Sequence, residues 1–163
     1  MDTAINQTTV NAAGEQEGTP ITNQYIVVLL GSEFYGIDIS NVDNIVRMQN
    51  ITRVPKSQDY FNGVINLRGE IVSVMSLRKK FKLEDDEFTD KTRIIILKPD
   101  HQEPIGVIVD VVEEVVTLEE ESIEKMSSDS RNERAKYLLG VGKDGERLIS
   151  LLNIAAVISD DER

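Results

Sequence analysis

The sequence predicts an all-β chain with minor α content, on three observations. Short runs of β-branched and other apolar residues recur at close spacing, bounded by Gly, Pro, Asn and Asp. Apolar residues at helical spacing extend over only brief turns. The pattern also repeats. At an offset of 70, Gly36-Ile37-Asp38-Ile39 meets Gly106-Val107-Ile108-Val109, and Val42, Ile45 and Val46 meet Val112, Val115 and Val116. At an offset of 77, Gly63-Val64 meets Gly140-Val141, and Ile71 and Val74 meet Leu148 and Leu151. A five-strand unit of about 60–70 residues buries too little surface alone. Two copies sharing a core, folded as small closed barrels that remove exposed edges, are therefore expected.

Residues 1–20 are polar apart from isolated Ile5 and Val10 and are read as a disordered tail. Tyr25 to Leu30 forms a buried strand, Gly31-Ser32 a turn and 33–39 the antiparallel partner. Ser40 can cap a helical turn with Val42, Ile45 and Val46 on one side and Asp43 and Asn44 on the other. Residues 51–54 make a strand halted by Pro55. The central hairpin pairs 63–67 with 70–76, pinched at Arg68-Gly69, where Gly supplies positive φ. Residues 78–83 form a helical turn and 84–90 an acidic loop, and 93–97 and 104–109 pair as strands. Residues 117–134, polar with Leu118, Ile123 and Met126 as anchors, are expected to be a mobile excursion, and 147–151 close the chain as a strand.

The chain has 29 acidic and 18 basic residues and a net charge of -11, which argues against phosphate-backbone binding and against adsorption to anionic lipid. With no Cys, disulfides, thiolate zinc sites and Cys nucleophiles are excluded, in keeping with a reducing cytosol. The longest apolar run, Tyr25 to Leu30, falls far below the roughly 20 residues of a membrane helix, and a signal-peptide pattern is lacking.

Catalytic chemistry finds no engine here, and no cofactor or metal is implied. His101 lies in a turn between strands, and no Ser occupies a nucleophile elbow. The acidic runs 84–87 and 119–121 lack EF-hand spacing and read as solvated loops. Gly140-Val141-Gly142-Lys143-Asp144-Gly145 leads into a strand instead of a helix, so it is a hairpin turn and not a phosphate loop. Arg68, a cation at the tip of an apolar hairpin, is either a solvated turn residue or a contact residue.

The run from Gly63 to Arg78 closely resembles the signature of the bacterial chemotaxis coupling proteins, the CheW-like domain family. Phe34-Tyr35-Gly36-Ile37-Asp38-Ile39 and Gly106-Val107-Ile108-Val109-Asp110 fit that family in order and spacing, over residues 21–160. The resemblance implies two intertwined five-stranded SH3-like β-barrels with short helical turns, in lobes roughly 21–90 and 91–160 with strand exchange, within a domain spanning 21–163. It implies a non-catalytic cytoplasmic scaffold joining the cytoplasmic tips of methyl-accepting chemotaxis receptors to the regulatory domain of the histidine kinase CheA. The alternatives are the module of a CheV-type adaptor and, from another class, a β-barrel small-ligand protein or enzyme. The family's receptor groove maps to Ile39, Val42, Asp43, Asn44 and Arg68, although Ile39 and Val42 also read as ordinary core. Asn44 stands where members often carry Glu, so a salt bridge from it to Arg68 cannot form. Asp43, Glu70 or a receptor carboxylate must then replace it. Gly36, Gly63, Gly69 and Gly106 read as structural turn and hairpin residues.

Overall fold

The structure, a computed structural model, describes residues 19–100, 102–126 and 133–159. The tail expected over 1–20 lies outside these residues except for Thr19 and Pro20, and His101 also lies outside them. The strands are β1 (Thr22–Leu30), β2 (Glu33–Asp38), β3 (Val42–Arg47), β4 (Phe61–Leu67), β5 (Glu70–Ser76), β6 (Arg93–Leu97), β7 (Ile105–Val109), β8 (Val111–Glu119), β9 (Glu124–Lys125), β10 (Leu138–Asp144) and β11 (Arg147–Leu152). Single-turn helices α1 (Leu77–Lys80) and α2 (Ile154–Val157) follow β5 and β11.

Two sheets form, with strand orders β8-β1-β2-β11-β10-β9 and β3-β6-β7-β5-β4. The two sequence repeats exchange their opening hairpins. The β1–β2 hairpin of the first repeat is held by β8 and β11 of the second, while β6–β7 of the second is held by β3 and β5 of the first. Each exchange includes one parallel pairing, and the two match residue for residue: Gly36 faces Leu151, and Gly106 faces Val74. The sequence repeat turns over near residue 90, but the sheets turn over at Ile39–Asn41 and at Asp110. Unlike the five strands expected in each, the first sheet has six, because Glu124–Lys125 adds to β10. Its counterpart in the second sheet is only a bridge, Thr52 to Val64, so the strand expected over 51–54 is a single pairing.

Burial on both strand faces sorts the apolar residues into three cores. Tyr25, Val27, Val116, Leu118, Ile149 and Leu151 pack inside the first sheet, and Ile65, Val72, Val74, Ile94, Ile96 and Ile108 inside the second. Between the sheets lies a larger cluster that includes Val28, Leu30, Ile37, Met75, Leu77, Ile95, Val107, Val109, Leu152 and Val157. Each sheet therefore curls about its own core and packs its outer face on the shared one. The curl is close: a Cβ on Gly142 of β10 would lie 2.5 Å from Leu118 on β8, at the far side of the same sheet.

Two expectations change. Val42, Ile45 and Val46 lie on a strand, not a helical turn, since the 3₁₀ turn stops at Asn41. Residues 117–119 complete β8, paired to β1, while 127–132 of the expected excursion lie outside the described residues. Gly36 and Gly106 sit mid-strand in the two opening hairpins, within the strands expected over 33–39 and 104–109, and a Cβ there would meet Leu151 at 2.8 Å and Ile94 at 2.7 Å.

Because each sheet needs strands from both repeats, a fragment covering residues 1–92 should show no cooperative urea transition by circular dichroism. A sharp transition would contradict the shared core. Gly63, with φ 140° and the Thr52 carbonyl oxygen 2.1 Å from a Cβ built there, is a stricter point. Gly63→Ala should lower stability by at least about 2 kcal/mol, read from the urea midpoint.

Candidate functional site

The β4–β5 turn is a two-residue hairpin with positive φ at both central residues, 55° at Arg68 and 86° at Gly69, and Asn66 Oδ1 accepts the Gly69 N–H at 3.0 Å. Glycine fits such a position freely, whereas an arginine there costs about 1 kcal/mol. In the second repeat the equivalent residue is glycine: Gly145, φ 63°, between Asp144 and Arg147. The first hairpin thus carries a strained, exposed cation where its copy carries none.

Position 44 lies on β3, an edge strand of the second sheet. A bulge at Asp43 shifts the register between Val42–Leu97 and Asn44–Ile96, leaving Asp43 exposed. The bulge also sends Val42 to the shared core while Val46 enters the core inside the sheet. Asn44 Oδ1 accepts the Ile45 N–H at 2.8 Å. Glu114, the counterpart of Asn44 on β8, pairs with Arg147 at the foot of the second hairpin, 2.6 Å away, and Arg147 also reaches Asp144 at 2.6 Å and stacks over Phe34. The counterpart of Arg147 is Glu70, so this clamp has no equivalent in the first repeat. Among the described residues, Arg68, Asp43 and Glu70 form no ion pair.

The strand register puts the start of β3, the β6–β7 connection and the Arg68 hairpin at one end of the second sheet, since Val42, Leu97, Ile105 and Ser73 lie level and the tip projects beyond Ser73. A cleft of about 320 Å³ opens at that end, between Asp38 and Asn41 on one side and Leu139, Leu152 and Ala155 on the other, with Pro99 and Gln102 along its edge. Asp38 is fixed there by accepting the Ser40 N–H and hydroxyl, both at 2.9 Å. Ile39 and Val42 flank the cleft, half-buried against the shared core, and do not line it.

At the opposite end of the molecule, the place equivalent to this cleft is spanned by an ion pair. Arg78, counterpart of Ala155, donates to both oxygens of Asp110, at 3.0 and 2.5 Å, and to the Glu84 carbonyl at 3.1 Å. Asp110, counterpart of Ser40, also accepts the Gly31 N–H at 2.8 Å. Burial pushes the Asp110 carboxyl up, but the Arg78 and Gly31 hydrogen bonds outweigh it and hold the group below the usual carboxylate range. Asp86 goes the other way: burial dominates and raises it, despite the Ser76 hydroxyl donated to it.

None of Ile39, Val42, Asp43, Asn44 and Arg68 lines the cleft; they lie near its first-repeat wall, Asp38 and Asn41, and sequence reasoning missed the second-repeat wall, Leu139 and Ala155. Leu139 is 49% exposed. The available signal was Tyr137-Leu138-Leu139, three consecutive large apolar residues entering a strand, at least one of which has to face outward. No group of three or more His, Cys, Asp or Glu among the described residues is placed to hold a metal ion.

The CheW-like domain family model matches residues 24–162. The chain is 34% identical over 145 residues to the chemotaxis protein CheW of Klebsiella aerogenes, covering 89% of this chain and 87% of that protein. It is 35% identical over 136 residues to that of Bacillus subtilis, covering 83% and 86%. The crystal structure of the scaffolding protein TtCheW from Thermoanaerobacter tengcongensis matches with a TM-score of 0.79 at 29% identity, over 88% of this chain and 97% of that one.

The Arg78–Asp110 lock should be measurable in stability. Asp110→Asn should cost about 2 kcal/mol near pH 7, because a partly buried guanidinium loses its bidentate acceptor. A carboxyl whose folded pKa is depressed stabilises the fold above its unfolded pKa of about 3.9 and stops doing so as pH falls through the folded value. Urea midpoints of wild type and Asp110→Asn should therefore converge as pH falls through the folded value, and a difference that does not narrow as pH falls from about 3.9 would contradict the ionic origin.

Proposed function

This chain belongs to the CheW-like domain family, and from that membership we infer a chemotaxis adaptor that runs no reaction of its own and bridges the cytoplasmic tips of methyl-accepting chemoreceptors to the regulatory domain of the histidine kinase CheA. The observation that carries the receptor half is the pairing of an open cleft with Arg68. Among the described residues, one of two equivalent ends has an open cleft while the other is bridged by Arg78 and Asp110, and the end with the cleft carries a cation held in a strained turn. A helical receptor tip laid along this end would place apolar residues against Leu139, Leu152 and Ala155 and offer a carboxylate to Arg68. Asp43 and Glu70 form no ion pair with Arg68, so of the three replacements for the lost salt bridge the receptor carboxylate is the one we propose. The kinase domain is proposed to dock elsewhere, on the barrel ends, so that both partners are held at once. No helix among the described residues is long and apolar enough to cross a membrane, and array association through protein partners is the proposed route to the membrane.

Arg68→Ala should weaken binding of a receptor cytoplasmic fragment at least about tenfold, as buried arginine truncations at interfaces do, and leave kinase-domain binding unchanged. Arg68→Lys should fall between, keeping charge and losing the planar fork. Arg68→Gly gives the cleanest separation: it matches Gly145, should melt no lower than wild type, and should bind receptor as poorly as Arg68→Ala. Calorimetric titration of all four proteins against each partner decides it. Equal receptor affinities would return Arg68 to a solvated turn, and equal losses for both partners would point to a disturbed fold.

A further inference from the structure

The two equivalent ends of the molecule treat a cation in opposite ways. At the bridged end the chain supplies its own: Arg78, on α1, gives its guanidinium to both oxygens of Asp110, at 3.0 and 2.5 Å, and to the Glu84 carbonyl at 3.1 Å. At the other end α2 has Ala155 in the place of Arg78, and this exposed residue lines the cleft of about 320 Å³. The carboxylates remain. Asp38 accepts both the N–H and the hydroxyl of Ser40, the counterpart of Asp110, at 2.9 Å through one oxygen, Oδ1. A carboxylate is thereby anchored at the very residue where the bridged end has one. Asp100, on the β6–β7 connection, adds a second to the lining. Among the described residues that lining holds no Lys or Arg, and neither Asp38 nor Asp100 enters an ion pair. Lys98, adjacent in sequence to Pro99, is outside it.

We propose, on the reading of this end as the receptor groove, that the cleft receives an arginine side chain of the receptor, in the place that Arg78 fills at the bridged end. Carboxylates lining a cleft without a cation attract one, and a docked helix that removed them from water without pairing them would lose affinity. Arginine suits the site better than lysine. Its planar fork sets two donors against one carboxylate, as Arg78 does with Asp110, and its remaining donors match side-chain carbonyls such as those of Asn41 and Gln102. Its stem can lie on Leu139 and Leu152 while the head stays at the carboxylates. A helix on this end would then offer a cation to Asp38 and Asp100 and an anion to Arg68, and the two opposite demands fix its register and direction.

Calorimetric titration with a receptor cytoplasmic fragment compares the full chain with Asp100→Lys, Ala155→Arg, Ala155→Gln and Arg68→Ala. Asp100 and Ala155 are exposed, so substitutions there should melt like wild type. Asp100→Lys should weaken receptor binding at least about tenfold. Ala155→Arg, which supplies the cation from within, should do likewise, whereas Ala155→Gln, long but neutral, should cost less than about threefold. Exchanging the arginines of the receptor fragment for glutamate one at a time should yield one fragment that binds wild type poorly and regains affinity for Asp100→Lys. Wild-type affinity in Asp100→Lys, equal losses for Ala155→Arg and Ala155→Gln, or a loss that no exchanged receptor arginine restores overturns the proposal. If Arg68→Ala still weakens receptor binding in such a case, the groove stands and only its arginine is wrong. If Arg68→Ala is also without effect, the receptor reading falls with it.

Discussion

The exchange of β-hairpins between the two sequence repeats is the constraint on which the rest of the molecule depends. Neither repeat can complete a sheet, because β2 and β7 each find a parallel neighbour only in the other repeat, at Leu151 and Val74 respectively. Parallel neighbours cannot be joined by a tight turn, so these pairings are long-range by necessity. The apolar core between the sheets follows from them, as does the seam where Tyr35, Phe81 and Tyr137 stack. Glycine serves that geometry at matched points. Gly63 and Gly140 lie against the backbone carbonyls of Thr52 and Glu124, and Gly36 and Gly106 admit large side chains from the facing strands.

Given near-symmetry of the backbone, the proposed receptor site is read from the departures from it. Three departures, spanning four pairs of equivalent positions, stand out: Arg68 against Gly145, Arg78 against Ala155, and Asn44 with Glu70 against Glu114 with Arg147. The first places a strained cation at one hairpin tip only. The second closes one interlobe cleft with a bidentate ion pair and leaves its twin open. The third clamps the second hairpin to β8 and withholds the same clamp from β3. All three changes leave the open cleft and the unclamped cation on the same end of the molecule, as a one-sided adaptor surface requires.

Much of this was legible in the sequence, and the misses have physical causes. The hairpins showed themselves through β-branched runs and turn glycines, and the repeat offsets survived into the strand pairing. β3 reads as a helical turn in the sequence because Val42, Ile45 and Val46 have helical spacing. The bulge at Asp43 is what makes that spacing compatible with a strand, by moving Val42 to a different core from Val46. Nothing local shows why glycine stands at Gly36, because Leu151 arrives there from a strand far away in sequence. The far wall of the candidate groove was missed for the same reason: Leu139 and Ala155 join Asp38 and Asn41 only through the exchange.

The central claim is that one of two equivalent ends receives the receptor. Hydrogen exchange on the full chain, with and without a saturating receptor cytoplasmic fragment, reads both ends in one measurement. The account predicts new protection in the Asp38–Asn41 segment, at Gln102, at Leu139, at Asn153 to Ala155 and at Gly69, with none at Gly31, Asn62, Arg78 or Asp110. Equal protection of both ends, or protection confined to the Arg78–Asp110 end, would contradict it.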